Sequence, residues 1–206
     1  MQHSIKDLWL YPFPEIDVVH TQEPLLPEPE LTTPGRCICC RQNVRHRFRL
    51  DDSWPLRQLT DTISDTRVPI HTYAGIQLRL DCAELMESQG YEEPTGQAKI
   101  TPAYNLPCDY VIHTVGPIVQ GKLKKQHCDL LASCYRSCLK LADETGITSI
   151  AFCCISTGVF MFPNEKAAEI AVQTVKEYKA ETGSKMEVIF NVFKESDEQI
   201  YRKILG

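Results

Sequence analysis

From Ile70 onward, short apolar runs alternate with longer segments in which apolar residues recur every three or four positions. Short apolar runs predict buried strands, and a period near 3.6 residues predicts helices with one buried face, such as the face carrying Ile76 and Leu80. Gly90 and Gly146 follow two of the helical patterns, as glycine often does where helices end. The pattern predicts helices over about 76–89, 127–145, 164–181 and 196–205, and strands over about 99–103, 110–115, 149–155 and 186–192. Because strands and helices alternate, we predict the α/β class, with a mostly parallel sheet between layers of helices.

The first 69 residues do not continue this pattern. Residues 1–35 contain six prolines, which exclude a long helix, and we interpret them as a proline-rich N-terminal arm. Residues 36–69 hold seven of the ten arginines, and no lysine occurs between Lys6 and Lys99. We therefore divide the chain into the arm at 1–35, an Arg/Cys-rich segment at 36–69 and a regular domain at 70–206.

The overall composition narrows the possible functions. Hydrophobic residues make up 43% of the chain, but no apolar run approaches the roughly 20 residues that span a bilayer, so no membrane partner is expected. The net charge of −5 argues against general nucleic-acid binding. The N-terminus lacks the cationic start and apolar core of a secretory signal. A cytoplasmic protein with reduced thiols is expected, since these cysteines lie within apolar patterns: Cys82, Cys108, Cys128, Cys134, Cys138, Cys153 and Cys154.

A loop of small residues follows the predicted strand at 149–155. Ser156, Thr157 and Gly158 interrupt the apolar run, and Pro163 and Asn164 open the next helical pattern. A loop placed this way presents backbone N–H groups beside a helix N-terminus, which suits a phosphate. Ligands of open α/β sheets bind at the carboxyl ends of the strands, where this loop would lie. An ordinary strand-to-helix turn is the alternative interpretation.

Four stretches of the regular domain carry motifs that occur together in one known family. They are residues 70–82 (Ile-His-Thr-Tyr-Ala-Gly-Ile-Gln-Leu-Arg-Leu-Asp-Cys), 94–101 (Pro-Thr-Gly-Gln-Ala-Lys-Ile-Thr), 105–117 (Asn-Leu-Pro-Cys-Asp-Tyr-Val-Ile-His-Thr-Val-Gly-Pro) and 154–160 (Cys-Ile-Ser-Thr-Gly-Val-Phe). In this order they resemble macrodomains, and most closely the zinc-containing branch of protein-ADP-ribose hydrolases. The resemblance covers residues 70–206. It implies a three-layer α/β/α macrodomain sandwich, ADP-ribose as ligand and an ADP-ribosylated protein as partner.

The resemblance also assigns roles to the loop. In the family this loop wraps the diphosphate and the distal ribose, so the implied ligand-binding residues are Ser156, Thr157, Gly158, Val159 and Phe160. The absence of a side chain at Gly158 lets the backbone approach a phosphate closely. Phe160 either covers the ribose or packs into the core, and core packing is the default for a single Phe. Met161 departs from the family, in which glycine is usual at this position.

Two other motif positions favour structural roles. Residues 94–97 contain Pro and Gly, which are typical of turns, and we expect a turn near the pocket. His113 is a formal candidate for a general base, but a strand histidine bonded to a neighbouring carbonyl is the favoured interpretation.

The amino-terminal half of the family pattern is missing before Ile70. It would supply a Gly-Asp-Ile-Thr strand end, a buried strand ending in Asn-Ala-Ala-Asn and zinc ligands in a Cys-x4-His-x-Cys pattern, and the chain contains none of these. We therefore expect an incomplete or irregular sheet, and the catalytic residues stay unknown. Zinc is the cofactor that the family implies, and the weak candidates for its ligands have suitable residue types in a different spacing: Cys37, Cys39, Cys40 and His46.

A shifted reading frame or a gene-model error over residues 36–69 is one hypothesis for this abrupt change. Translating the encoding DNA in the other two frames tests it, because the missing motifs must then appear. The sequence thus predicts an ADP-ribose-binding macrodomain resembling hydrolases that remove ADP-ribose from modified proteins. The alternative is a non-catalytic ADP-ribose reader or an inactive remnant that lacks the catalytic and zinc motifs.

Overall fold

Within its described residues, the chain has six strands and four helices with defined bounds. The computed structural model describes residues 16–20, 36–40, 70–71, 74–106, 108–192 and 194–206, the first two ranges by their backbone alone. The strands are β1 Ile16–His20, β2 Arg36–Cys40, β3 Ala98–Pro102, β4 Tyr110–Thr114, β5 Ser149–Phe152 and β6 Glu187–Val192. The helices are α1 Ile76–Gln89, α2 Lys125–Glu144, α3 Asn164–Thr182 and α4 Glu195–Leu205.

The strands form one sheet in the order β1-β6-β5-β2-β4-β3. β3 is antiparallel to β4, and the other neighbouring pairs are parallel. β2 lies between β5 and β4, with Cys39 opposite Phe152 and Cys40 opposite His113. The gap expected in the sheet is therefore filled, because the proline-rich arm and the Arg/Cys-rich segment each contribute one strand.

Apolar side chains are buried on both faces of this sheet. Val111 belongs to a small cluster with Leu78 of α1, whereas its neighbour Ile112 belongs to the larger cluster with α2, α3 and α4. Consecutive strand residues point to opposite faces, so the two clusters lie on opposite sides of the sheet. This arrangement confirms the three-layer α/β/α sandwich.

Three details differ from the sequence-based expectation. Leu78 is the fully buried residue of α1, while Ile76 and Leu80 are 49% and 55% exposed, so the predicted buried face was wrong. β5 ends at Phe152 rather than at residue 155. α4 begins at Glu195, one residue before the Ser predicted to start it.

The structure tests the predictions about thiols and about membrane-spanning helices over its described residues. The seven cysteines predicted to be reduced form no disulfide within the described residues, and Cys134, Cys138 and Cys154 among them are buried. Within the described ranges, no helix has the length and apolarity needed to cross a membrane. The predicted zinc candidate His46 lies outside the described residues.

Candidate functional site

Two loops meet at the carboxyl edge of the sheet. One follows β4 and the other follows β5, and both strands run parallel to β2 between them. The two loops are joined directly, because the Val119 N–H donates a hydrogen bond of 2.9 Å to the Phe160 carbonyl. The loop predicted to bind a phosphate therefore lies at the sheet edge where ligands of open α/β folds bind.

The loop after β5 has a closed shape that its own backbone maintains. The Phe162 N–H donates to the Ser156 carbonyl and the Met161 N–H donates to the Gly158 carbonyl, both at 3.0 Å. Ser156 and Met161 have φ of +66° and +56°, in the left-handed region that non-glycine residues rarely adopt. Each such residue costs roughly 1–3 kcal/mol, and strain of this kind is concentrated at functional sites.

The backbone N–H groups of residues 157–160 are not used inside the described structure. None of them donates to an acceptor in the described ranges, although the carbonyls at 156, 158 and 160 all accept hydrogen bonds. α3 begins immediately beyond, at Asn164, with Pro163 as its N-cap. Free N–H groups beside the positive end of a helix dipole form an environment that favours an anion.

The side chains of the loop divide into buried and exposed ones. Ser156 is completely buried, and Phe160 is 4% exposed, so the core-packing interpretation of Phe160 agrees with the structure. Val159 and Met161 are 62% and 70% exposed. The Thr157 hydroxyl donates to the Cys154 carbonyl at 3.1 Å, which ties the loop to the end of β5. A ligand at this loop would thus contact mainly backbone groups and the Val159 side chain.

A shallow cleft lies behind the loop, where α3 and α4 begin. Its empty volume of about 150 Å³ includes open solvent, and it is lined by Cys154, Thr157, Asn164, Asp197, Ile200 and Tyr201. The Asn164 side-chain amide donates to the Asp197 carboxylate at 2.6 Å. Burial raises the pKa of the Cys154 thiol, so this sulfur is a neutral thiol at physiological pH. The cleft therefore presents one carboxylate, already bonded to an amide, and no thiolate.

The turn at 94–97 has a structural role. The Gly96 N–H donates to the Val115 carbonyl at 3.0 Å, and the Gly96 carbonyl accepts from the hydroxyls of Ser133 and Ser137 at 3.0 and 2.7 Å. These bonds fasten the turn to the end of β4 and to α2. The turn therefore holds the start of the loop after β4 in place through the Val115 carbonyl.

His113 is engaged with the neighbouring strand. Its Nε2 lies 2.9 Å from the Thr101 hydroxyl on β3 and 3.9 Å from the Cys82 sulfur on α1. The partner expected from the sequence was a carbonyl, whereas the Thr101 partner is a hydroxyl. A histidine bonded within the sheet agrees with the structural interpretation.

The zinc prediction receives no support from the described residues. Cys37, Cys39 and Cys40 belong to β2, which is paired on both sides. Across the described ranges, no group of three or more His, Cys, Asp or Glu residues is assembled to hold a metal ion. Zinc therefore stays a prediction.

Sequence reasoning did not assign a role to Gly116, which lies after β4 and next to Ser156 of the loop after β5. A Cβ atom at Gly116 would lie 2.2 Å from the Ser156 hydroxyl oxygen. The available signal was the Gly-Pro pair that follows β4, but it reads equally as an ordinary turn.

Comparisons with known proteins agree with this fold. The Macro domain family model matches residues 66–171, which is more than half of the chain. A protein-ADP-ribose hydrolase of Treponema medium is 63% identical over 137 residues, covering 66% of this chain and 52% of that protein. A protein-ADP-ribose hydrolase of Staphylococcus aureus (strain MSSA476) is 57% identical over 135 residues, covering 65% of this chain and 51% of that protein. The chain thus spans about half the length of the curated relatives it matches.

Solved structures extend the likeness over most of the chain. The Oceanobacillus iheyensis macrodomain with ADP has a TM-score of 0.70 and 29% identity, covering 92% of this chain and 89% of that chain. The Trypanosoma brucei macrodomain in complex with ADP-ribose has a TM-score of 0.68 and 28% identity, covering 94% of this chain and 70% of that chain. On the family match and on this likeness of fold, the chain belongs to the macrodomain family.

Proposed function

We propose that this chain binds ADP-ribose and hydrolyses the bond that joins ADP-ribose to a modified protein. One observation carries the proposal. The N–H groups of residues 157–160 have no acceptor in the described structure and lie beside the N-terminus of α3. A diphosphate supplies the anionic oxygens that these groups would bind. The names of the relatives, protein-ADP-ribose hydrolases, support the same function.

The geometry suggests what this loop contributes to the reaction. With the diphosphate held by residues 157–160, the distal ribose would lie close to Val159, whose side chain is exposed. Fixing the ribose in this way orients its anomeric carbon for attack by water, and orientation is a large part of such catalysis. The residues that would activate the water are unknown, because the family's Asn-Ala-Ala-Asn motif does not occur in the chain.

The absence of that motif favours one alternative, a reader that binds ADP-ribose without cleaving it. The same loop serves both functions, so binding alone does not distinguish them. Membership of the zinc-containing branch and zinc itself are part of the hydrolase proposal, and the resemblance supports them. A cytoplasmic location is also part of it, and the absence of disulfides among the described cysteines supports it. Metal analysis of the purified protein tests the zinc component separately.

Titration calorimetry with ADP-ribose tests the proposed binding site. Val159→Glu places a carboxylate on the exposed side of the loop, and we expect it to weaken ADP-ribose binding about tenfold or more through charge repulsion. Leu80→Glu is the matched control, because Leu80 is similarly exposed on α1, a helix that packs against β3 at the far edge of the sheet. Equal affinities of the two variants would contradict the proposed diphosphate site.

A release assay on an ADP-ribosylated protein separates the two functions. Release of free ADP-ribose by the chain supports the hydrolase. Binding without release favours the reader and overturns the hydrolase. A wild-type chain that binds no ADP-ribose overturns both.

A further inference from the structure

Ser156 is held in a conformation that its own chemistry does not favour. Its φ is +66°, its side chain is completely buried, and its hydroxyl has no hydrogen-bond partner in the described structure. A left-handed backbone is uncommon for serine, and an unpartnered buried hydroxyl is unfavourable. The surrounding structure must therefore impose this conformation.

Gly116 provides the space that Ser156 occupies. A Cβ atom at position 116 would lie 2.2 Å from the Ser156 Oγ and 2.8 Å from the Ile155 Cγ2, distances at which real Cβ atoms essentially never occur. The φ of Gly116 is outside the left-handed region. Space, and not backbone conformation, is therefore the reason that glycine is needed here.

The backbone at Gly116 has little freedom to move away from a larger residue. The preceding Val115 carbonyl accepts hydrogen bonds from the Gly96 N–H at 3.0 Å and from the Cys134 thiol at 3.3 Å. Gly96 is fastened in turn by two serine hydroxyls of α2. Pro117 restricts the backbone on the other side. A Cβ atom at position 116 would consequently displace the loop after β5 and leave the end of β4 in place.

We propose that Gly116 is a positioning residue for the ligand, acting through Ser156, an inference that rests on the proposed function. Contact with Gly116 fixes the peptide orientation at Ser156, whose carbonyl accepts the Phe162 N–H and closes the loop. The closed loop keeps the N–H groups of residues 157–160 directed toward the diphosphate. Displacing Ser156 by about 1 Å, the shift needed to restore ordinary contact distances, misdirects these groups.

The test compares three variants of the 206-residue chain with the wild type. Gly116→Ala is expected to weaken ADP-ribose binding, measured by calorimetry, at least about tenfold. Gly116→Ala combined with Ser156→Gly removes the clashing hydroxyl, so we expect it to recover part of the lost affinity. Gly146→Ala is the control, because Gly146 has a left-handed φ of +75° and no atom within 4 Å of an added Cβ. The Gly146→Ala variant is destabilised by the strain of alanine at a positive φ, but the substitution does not displace the loop after β5, so we expect wild-type affinity.

Circular dichroism at the assay temperature gives the folded fraction of each variant, so that unfolding is not mistaken for weak binding. Loss of affinity in folded Gly116→Ala together with partial recovery in the double variant supports the inference. Wild-type affinity of Gly116→Ala, or the absence of recovery in the double variant, overturns it while leaving the proposed function intact. A wild-type chain that does not bind ADP-ribose overturns the proposed function and this inference together.

Discussion

The chain turns at both ends of β5 through residues with a positive φ, but the two turns use different residue types. At the amino end, the turn from α2 uses Gly146 for its left-handed position, with open space around it. At the carboxyl end, the left-handed positions are Ser156, which is buried against Gly116, and Met161, which is exposed. Glycine takes a positive φ without steric cost, so the amino end is relaxed and the carboxyl end is strained.

This difference indicates that the carboxyl end of β5 meets a requirement other than stability, such as ligand binding. A strained serine whose hydroxyl has no partner among the described residues destabilises a turn that only connects two elements. Strain persists when the surrounding structure determines it, and it is typical of ligand-binding segments. The strained end of β5 is also the end at which the N–H groups of residues 157–160 have no acceptor in the described part of the chain.

Truncating Phe152, the buried side chain that anchors both ends of β5, should have the largest effect on the free energy of unfolding. Phe152 is completely buried, and its ring centroid lies 5.0 Å from that of Tyr135 and 6.2 Å from that of Phe190. We expect Phe152→Ala to lower the free energy of unfolding by about 3–5 kcal/mol, because it leaves a cavity in the core. Urea denaturation measures this change, with Phe152→Leu as a control of smaller expected loss. A loss below about 1 kcal/mol would show that β5 is not the common anchor.

Exchanging the residue types at the two ends should change stability in opposite directions. We expect Gly146→Ala to lower the free energy of unfolding by about 1–2 kcal/mol, because alanine is strained at a positive φ. We expect Ser156→Gly to raise it by about 1 kcal/mol, because glycine relieves the strain and no hydrogen bond of the Ser156 hydroxyl is lost within the described structure. Urea denaturation of both variants is the measurement. Changes of the same sign would remove the contrast between a relaxed and a strained end.

The smallest expected effect is a change in the pH dependence of the free energy of unfolding. It comes from Cys134, which contacts the end of β4 next to the strained loop. Burial raises the pKa of Cys134 from 9.0 to about 12, and its thiol donates to the Val115 carbonyl. The folded state thus keeps a proton that the unfolded state releases above about pH 9, so this contribution to stability is complete below pH 9 and declines as the pH rises toward 12.

We therefore expect the free energy of unfolding of the wild type to fall more between pH 8 and about pH 10 than that of Cys134→Ala. Urea denaturation at both pH values measures the difference. Equal decreases in the two proteins would mean that Cys134 does not hold its proton through folding.

Local sequence patterns accounted for most of the regular domain. The helical pattern over α2 places five apolar residues on one stripe: Leu131, Cys134, Cys138, Leu141 and Ala142. All of them are buried except Leu141, which is partly buried against the same core. α1 shows where the same reasoning fails, because Ile76 and Leu80 are exposed and Leu78 is buried. Apolar residues lie on more than one side of this helix, so packing against the sheet, and not periodicity, decides which side is buried.

The amino-terminal strands lay beyond what local patterns can predict. Residues 36–40 read as part of an Arg/Cys-rich segment, yet their backbone pairs with both β4 and β5. Strand pairing depends on partners more than seventy residues away in sequence, and a five-residue run carries too little periodicity to reveal it.

The sequence by itself determined the alternation of strands and helices beyond Ile70, the family motifs, and the position of a small-residue loop between β5 and α3. These follow from local periodicity and turn chemistry, which neighbouring residues specify. Tertiary structure alone decided that Ser156 and Met161 carry the strain, and that Gly116 makes room for Ser156. Gly116 and Ser156 are forty residues apart, and only the folding of β4 and β5 into one parallel sheet brings the ends of these strands together.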